Sequence, residues 1–162
     1  MQYLKARVSN DLNTLYFFQH PEYKVIIDID KFKSSGGEIQ LDYSSITEQN
    51  PVPHVYIIPH QFPASVKDFR IEKCFIGKEG RYAKFNAIIV MNLFLPFVRG
   101  PVEREARNIE YWEKVNGEWF VLNKVRPNPS HISGAVTATP INLPEEKAEY
   151  IEVDTRLVTS DL

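Results

Sequence analysis

Cysteine is nearly missing from this sequence: Cys74 stands alone. That excludes an internal disulfide framework and any zinc site built on clustered cysteines. No stretch reaches the ~18 consecutive apolar residues that a membrane-spanning helix needs. The opening residues, MQYLKARVSN, lack the apolar centre of a secretion signal. The expectation is therefore either a cytoplasmic protein or an exported one that has lost a leader or anchor, and the abrupt entry into a helical pattern keeps the second option open. Charge of one sign is also missing. Nineteen Lys and Arg are set against 21 Asp and Glu for a net charge of −2, and the two signs are mixed along the chain. A nucleic-acid binder usually shows a clustered basic footprint, which is not present, and an anionic membrane surface has no obvious counterpart. Internal repeats and low-complexity tracts are absent too.

What is present fits one domain. A chain of 162 residues can bury roughly two-thirds of its unfolded surface without covalent staples. Hydrophobic residues at 43% and charged residues at 25% are ordinary globular values. Ten Phe and eight Tyr point to a sheet-rich core or a lined pocket.

Leu4, Val8, Leu12 and Leu15 recur at helical spacing, with Tyr16 and Phe18 widening the stripe, which predicts one helix over residues 2–18. Lys5, Arg7, Asn10 and Asn13 fall on its other side. The helix should end before Pro21, which disfavours a helical residue ahead of it and suits the first turn of a second, short helix. The stretch KVIIDIDKF is ambiguous. Its β-branched residues allow a strand, while Asp28 or Asp30 as an N-cap favours short helical turns.

Strand character dominates from Glu38 onward. EIQLDY alternates, HVYII is β-branched and aromatic, and a long meander runs from VKDFRIEKCFI through a GKEG turn into RYAKFNAIIVMNLFLPF. By parity, Ala83, Phe85, Ala87, Ile89, Met91, Leu93 and Leu95 share one apolar face. The opposite face carries Tyr82, Lys84, Asn86, Ile88, Val90, Asn92 and Phe94, and its apolar centre invites a partner subunit. The loop VRGPVE precedes the stretch IEYWEKVNGEWFVLNKV. There Asn116-Gly117 between alternating residues predicts a two-residue hairpin that pairs Val115 with Glu118, Lys114 with Trp119 and Trp112 with Val121. One hairpin face then shows Asn108, Glu110, Trp112, Lys114, Trp119, Val121 and Asn123. The other shows Ile109, Tyr111, Glu113, Phe120 and Leu122. Beyond Val125, RPNPSHISGAVTATPINLPEE reads as a surface excursion, and AEYIEVDTRLV offers a late strand for this sheet or a neighbour's. The expected division is 1–126 for the domain and 127–162 for a C-terminal extension.

A leading helix, a proline-initiated second helix in LYFFQHPEYK, a curved meander and the closing hairpin YWEKVNGEWFVL together resemble the nuclear transport factor 2-like (cystatin-like α+β) superfamily. Trp112, Gly117 and Trp119 match the spacing of its frequent Trp, Asn-Gly, Trp ending. The resemblance covers roughly residues 2 to 125. It implies α+β architecture, with N-terminal helices packed on a strongly curved, mainly antiparallel sheet that forms a cone around a cavity. Members include isomerases, dehydratases and cyclases acting on hydrophobic small molecules, as well as non-catalytic binding, dimerisation and secretion-assembly domains, often in exported proteins. No Asp or Glu aligns to the carboxylate base of the members that resemble ketosteroid isomerase.

Two readings of the hairpin stay open. Glu110, Asn108 and Asn123 are either polar groups converging among tryptophans, as in a ligand pocket, or they meet solvent and backbone while the tryptophans close the sheet end. The first reading puts Tyr16, Tyr56, Phe85, Ile89, Met91, Trp112 and Trp119 around a hydrophobic small molecule, with Leu12 contributing from the helix. It expects a non-catalytic binding or protein-interaction domain of an exported or envelope-associated bacterial protein. A homodimer through the outer sheet face is a further expectation, and no cofactor or metal is called for. The catalytic alternative is a cofactor-independent isomerase or lyase with Glu110 as base and Tyr16 or Tyr56 donating to the oxyanion.

Other residues say less. His20 precedes a helix-starting proline, and His54, His60 and His131 lie in loop-like sequence, where solvent exposure is expected. Asp28 and Asp30 lack the glycine and distal glutamate of a calcium loop, so capping explains them better. Cys74 falls by alternation on the face of Asp68, Arg70 and Glu72, with no histidine near it in sequence. SHISG lacks the glycine-framed serine of a hydrolase elbow.

Overall fold

The helical stripe of residues 2–18 does not fold as one helix. In the computed structural model, which describes residues 2–42, 46–57, 64–122, 125–129, 136–140 and 149–155, it forms α1 (Gln2–Ser9) and α2 (Leu12–Phe17). Asn10 takes φ 53°, a left-handed conformation that asparagine tolerates better than most residues. Asp11 then caps α2, its carboxylate accepting from the Asn13 and Thr14 amides at 3.1 and 3.2 Å and from the Thr14 hydroxyl at 2.6 Å. A local cap outcompetes helix continuation here, because Asp bonds nearby backbone more readily than it extends a helix.

Capping also settles the ambiguous stretch in favour of helices. α3 (Pro21–Ile26) begins with proline in its first turn and His20 as N-cap. Asp28 caps α4 (Ile29–Ser34) by accepting from the Lys31 amide at 2.7 Å. Between them Ile27 is extended and fully buried. These turns enclose a compact cluster of Tyr23, Ile27, Phe32, Ile39 and Leu41, with Leu12, Leu15 and Tyr16 packed against it. Its phenols are bonded internally. Tyr23 donates to the Ile39 carbonyl and Tyr16 to the Ile27 carbonyl, both at 2.8 Å. Gly37 (φ 80°) closes the unit, and a Cβ there would stand 3.2 Å from both Leu12 and Phe32.

The strands form two sheets. The smaller has the order β2-β1-β7-β8, from β1 (Ile39–Asp42), β2 (His54–Ile57), β7 (Val125–Pro129) and β8 (Val136–Pro140). Its β1–β7 pairing is parallel and the others are antiparallel. The surface excursion expected after Val125 therefore holds two paired strands. Pro127 and Pro129 stand two apart, so their missing N–H groups fall on one side of β7 and the other side keeps its donors.

The larger sheet has the order β6-β5-β4-β3-β9 and is antiparallel throughout. It is built from β3 (Ala64–Gly77), β4 (Tyr82–Leu93), β5 (Val102–Val115), β6 (Glu118–Val121) and β9 (Tyr150–Val153). The late strand adds to the chain's own sheet, with Cys74 opposite Val153. The whole is an α+β architecture of four short helices packed against a mainly antiparallel five-stranded sheet.

Two register shifts in β3, at Val66/Asp68 and Ile71/Lys73, change what alternation predicts. Each bulge inserts a residue and flips the parity beyond it. Cys74 consequently lies opposite Phe85 and is buried in the core with Leu4, Ala87 and Trp112, not on the face of Arg70. Burial pushes its thiol pKa up, which disfavours the reactive thiolate.

The outer face of the sheet is more charged than the apolar centre of β4 suggests. Ile88 lies between Arg70 and Arg107 and is itself buried. Ion pairs Lys67–Glu103, Arg70–Glu105 and Arg107–Glu72 bridge β3 and β5 over the intervening β4, and Lys73–Glu152 joins β3 to its neighbour β9. Long basic side chains cover apolar surface with their stems while their heads stay wet.

Gly37 gives the helical cluster its own test. Gly37→Ala forces a Cβ into left-handed backbone against buried Phe32 and half-buried Leu12, and should cost about 1–3 kcal/mol in urea unfolding.

Candidate functional site

The hairpin that closes the large sheet fixes the site. Asn116 (φ 53°) and Gly117 (φ 92°) both adopt the positive φ of a type I′ turn. The register is Val115↔Glu118, Lys114↔Trp119 and Trp112↔Val121, as the turn chemistry predicts. On the inner face Glu110 lies opposite Phe85, Trp112 opposite Ala83, and Asn108 opposite Ala87.

Trp112 is the hub of an aromatic cluster. Tyr3 meets it edge-on at 5.2 Å between centroids, Phe18 at 5.8 Å, and Phe85 lies tilted at 5.7 Å. Helix α1 covers this face, and its Leu4 belongs to the same buried core.

Glu110 sits inside this apolar wall with only 7% of its surface exposed. Arg7 reaches down from α1 and donates Nη1 to Glu110 Oε1 at 2.5 Å, and Asn108 donates Nδ2 to the same oxygen at 3.0 Å. Burial pushes the Glu110 pKa above its ordinary value. Arg7, Asn108 and the Trp112 indole oppose that shift without cancelling it. The same enclosure raises the Tyr3 phenol, and repulsion from the Glu110 charge adds to it. The Trp112 N–H is close enough to favour the charged carboxylate, but the geometry falls short of a hydrogen bond. Glu110 Oε2 and Trp112 Nε1 are both buried without a hydrogen-bond partner among the described residues. An acceptor and a donor thus stand side by side on one strand, both unsatisfied, which is unusual for buried polar groups.

The opposite face of the hairpin is also covered, except at Ile109, which is 51% exposed. Phe18–Lys24 crosses the β6 edge: the Val121 amide donates to the Phe18 carbonyl at 2.9 Å, and Gln19 bridges Val121 in parallel. His20 and Lys24 then lie on the far face against Phe120, with ring centroids at 6.4 Å for His20 and Lys24 Nζ 5.1 Å from the ring. There Arg81 donates Nε and Nη2 to buried Glu113 Oε1 at 3.0 and 2.7 Å, and His20 Nε2 stands 3.4 Å from Glu113 Oε2. The His20 Nδ1 accepts the Glu22 amide at 3.3 Å. His20 is a buried cap that straps the helices to the sheet, not an exposed loop histidine.

The structure brings together Phe85, Trp112 and Trp119 with Glu110 and Asn108, and Ile89 is buried on the same β4 face. Met91 lies further along that face, half-buried. Leu12 and Tyr16 belong to the separate helical cluster, with the Tyr16 hydroxyl committed to Ile27. Tyr56 is in β2, but its side chain lies outside the described residues, as do Asn123, His60 and His131. Two members of the site were missed. Arg7 shares a helical face with Tyr3 and Leu4 at three- and four-residue spacing, and that signal could have moved it from the solvent side. Tyr3 carried the same signal. Among the described residues no three His, Cys, Asp or Glu side chains gather as a metal-ligand set, and no helix is long and apolar enough to cross a membrane.

Comparison with protein-family models, with curated proteins and with solved structures finds no match.

Removing Arg7 should be severe. Arg7→Met leaves Glu110 buried without its cation and should cost about 3 kcal/mol at neutral pH, with Arg7→Met/Glu110→Leu regaining most of it in urea unfolding.

The pH dependence of stability has a defined sign. A raised carboxyl pKa means that the folded state holds the proton more tightly than the unfolded one. Glu110 therefore contributes stability that is full below the unfolded value of ~4.3, and this is lost as pH rises through its own higher value. Glu110→Gln should flatten that segment of the stability–pH curve, and an unchanged curve would contradict the assignment.

Proposed function

We propose that the chain is a non-catalytic small-ligand-binding domain, whose ligand is an apolar molecule with one polar group that both donates and accepts. A hydroxyl, a carboxamide or a protonated carboxyl has that chemistry. The observation that carries the reading is the unsatisfied pair: Glu110 Oε2 as acceptor and Trp112 Nε1 as donor, each buried and without a partner among the described residues. Leaving such groups unpaired costs about 1–3 kcal/mol each, and a ligand that bonds both recovers it. Tyr3, Phe18 and Phe85 supply apolar walls around Trp112. Few polar groups in an aromatic surround is the usual make-up of small-molecule sites. The nuclear transport factor 2-like resemblance supports the same reading, since that superfamily encloses its ligands between helices and sheet in a cone. An exported or envelope-associated bacterial setting rests on the resemblance alone. Self-association through the outer sheet face would have to cover the ion pairs that join β3 to β5 across β4, so the ligand reading is preferred to a dimerisation scaffold.

One observation favours a second reading, a cofactor-independent isomerase or lyase. Glu110 has a raised pKa and one free oxygen, as a general base requires. Its donor would then be Trp112 or Tyr3, because Tyr16 is bonded elsewhere.

Native mass spectrometry of the purified protein, compared with the same sample denatured, tests the binding reading. The expected result is a small adduct that leaves on denaturation and whose retention falls about tenfold in Trp112→Phe, which lacks the indole donor. A clean protein mass with a dimer in place of an adduct would overturn it. Against a ligand so identified, Glu110→Gln should leave any turnover unchanged. A loss of about 10²–10⁴-fold would make the protein an enzyme.

A further inference from the structure

At the end of the sheet away from the hairpin, β4 and β5 stop pairing at Leu93↔Val102. Residues 94–101, FLPFVRGP, join them. Phe94 and Val98 are about half exposed, at 47% and 48%, and Phe97 is fully exposed at 107%. Phe97 also takes φ 69°, a left-handed conformation that disfavours a bulky side chain. A strained aromatic held wholly in water gains nothing from its own fold, and such outliers gather where something binds. Three further features say what the tip meets. It contains no acidic residue. Pro96 and Pro101 remove two backbone donors and the Val98 amide is bonded to the Leu95 carbonyl at 3.3 Å, which suits a site where the side chains enter the apolar layer and the remaining backbone stays at the wet headgroup level. Arg99, beside Val98 in the loop, and Arg104, exposed near the start of β5, have no acidic partner among the described residues, while neighbouring Glu103 and Glu105 are engaged by Lys67 and Arg70.

We propose that this loop inserts into the surface of a phospholipid bilayer, with Phe94, Phe97 and Val98 at headgroup and upper acyl depth and Arg99 and Arg104 on the lipid phosphates. Aromatic rings favour that interface, and juxtamembrane arginines are drawn to anionic headgroups. A protein partner is the weaker occupant. An exposed loop of eight residues offers far less than the ~800 Å² per side of a stable protein interface, whereas a bilayer needs only a few inserted side chains. The overall charge of −2 conceals this local arrangement, because the acidic residues lie elsewhere or are paired.

Co-sedimentation with phosphatidylcholine vesicles, with and without phosphatidylserine, tests it on the full chain. The expected result is that the protein pellets with the phosphatidylserine vesicles and that Phe94→Ser/Phe97→Ser lowers the bound fraction at least tenfold, by loss of about two buried aromatic side chains. Arg99→Glu/Arg104→Glu should remove the preference for phosphatidylserine. Both variants change exposed positions, and an unshifted thermal melt confirms that they fold. Protein that stays in the supernatant with both vesicles overturns the proposal, as does equal pelleting of wild type and Phe94→Ser/Phe97→Ser.

Discussion

A buried carboxylate has to be held, and the way Glu110 is held organises the inner half of the molecule. Placing an ionised side chain among Phe85, Trp112 and Leu4 carries a desolvation cost that only a close cation and additional donors offset. Arg7 provides the cation from α1 and Asn108 the donor from the same strand. The pair therefore fixes how α1 lies on the sheet, since Tyr3 and Leu4 must pack when Arg7 reaches. It does so incompletely. Both donors serve Oε1, so Oε2 and the neighbouring indole N–H are left without a hydrogen-bond partner among the described residues.

The outer face of the same hairpin solves a similar problem differently. Glu113 is also buried, but Arg81 and His20 reach both of its oxygens. Its role is to strap Phe18–Lys24 across the β6 edge, where an unpaired strand would otherwise present open backbone groups. Two buried glutamates three residues apart thus diverge by environment. Glu113 takes two Arg81 donors on one oxygen, with the His20 ring 3.4 Å from the other, and anchors the fold, whereas Glu110 keeps one oxygen unpaired among the described residues.

Much of this was readable in the sequence wherever the cause is local. Asn116-Gly117 specified the turn and, through it, the register of Trp112 and Trp119. Asp28 and Pro21 marked the starts of α4 and α3, and alternation gave the inner face of β4. What could not be read depended on distant partners or on one inserted residue. Arg7 and Glu110 are 103 residues apart, and no local pattern links them. The bulge at Ile71/Lys73 reverses the parity that placed Cys74 on the charged face. Asn10 ended α1 where the apolar stripe ran on unbroken, because a stripe records burial and not backbone continuity. His20 looked like a loop residue until the chain folded back over Phe120.

The claim on which the rest turns is that burial outweighs Arg7 at Glu110 and leaves its carboxyl harder to ionise than a solvent-exposed one. The direct measurement is a pH titration of the Glu110 side-chain carboxyl by carbon-13 NMR, assigned by its loss in Glu110→Gln. The account predicts a midpoint above those of the exposed glutamates. A midpoint at or below theirs would show that the Arg7 charge dominates, so that Glu110 is a structural anchor like Glu113 and not a binding group.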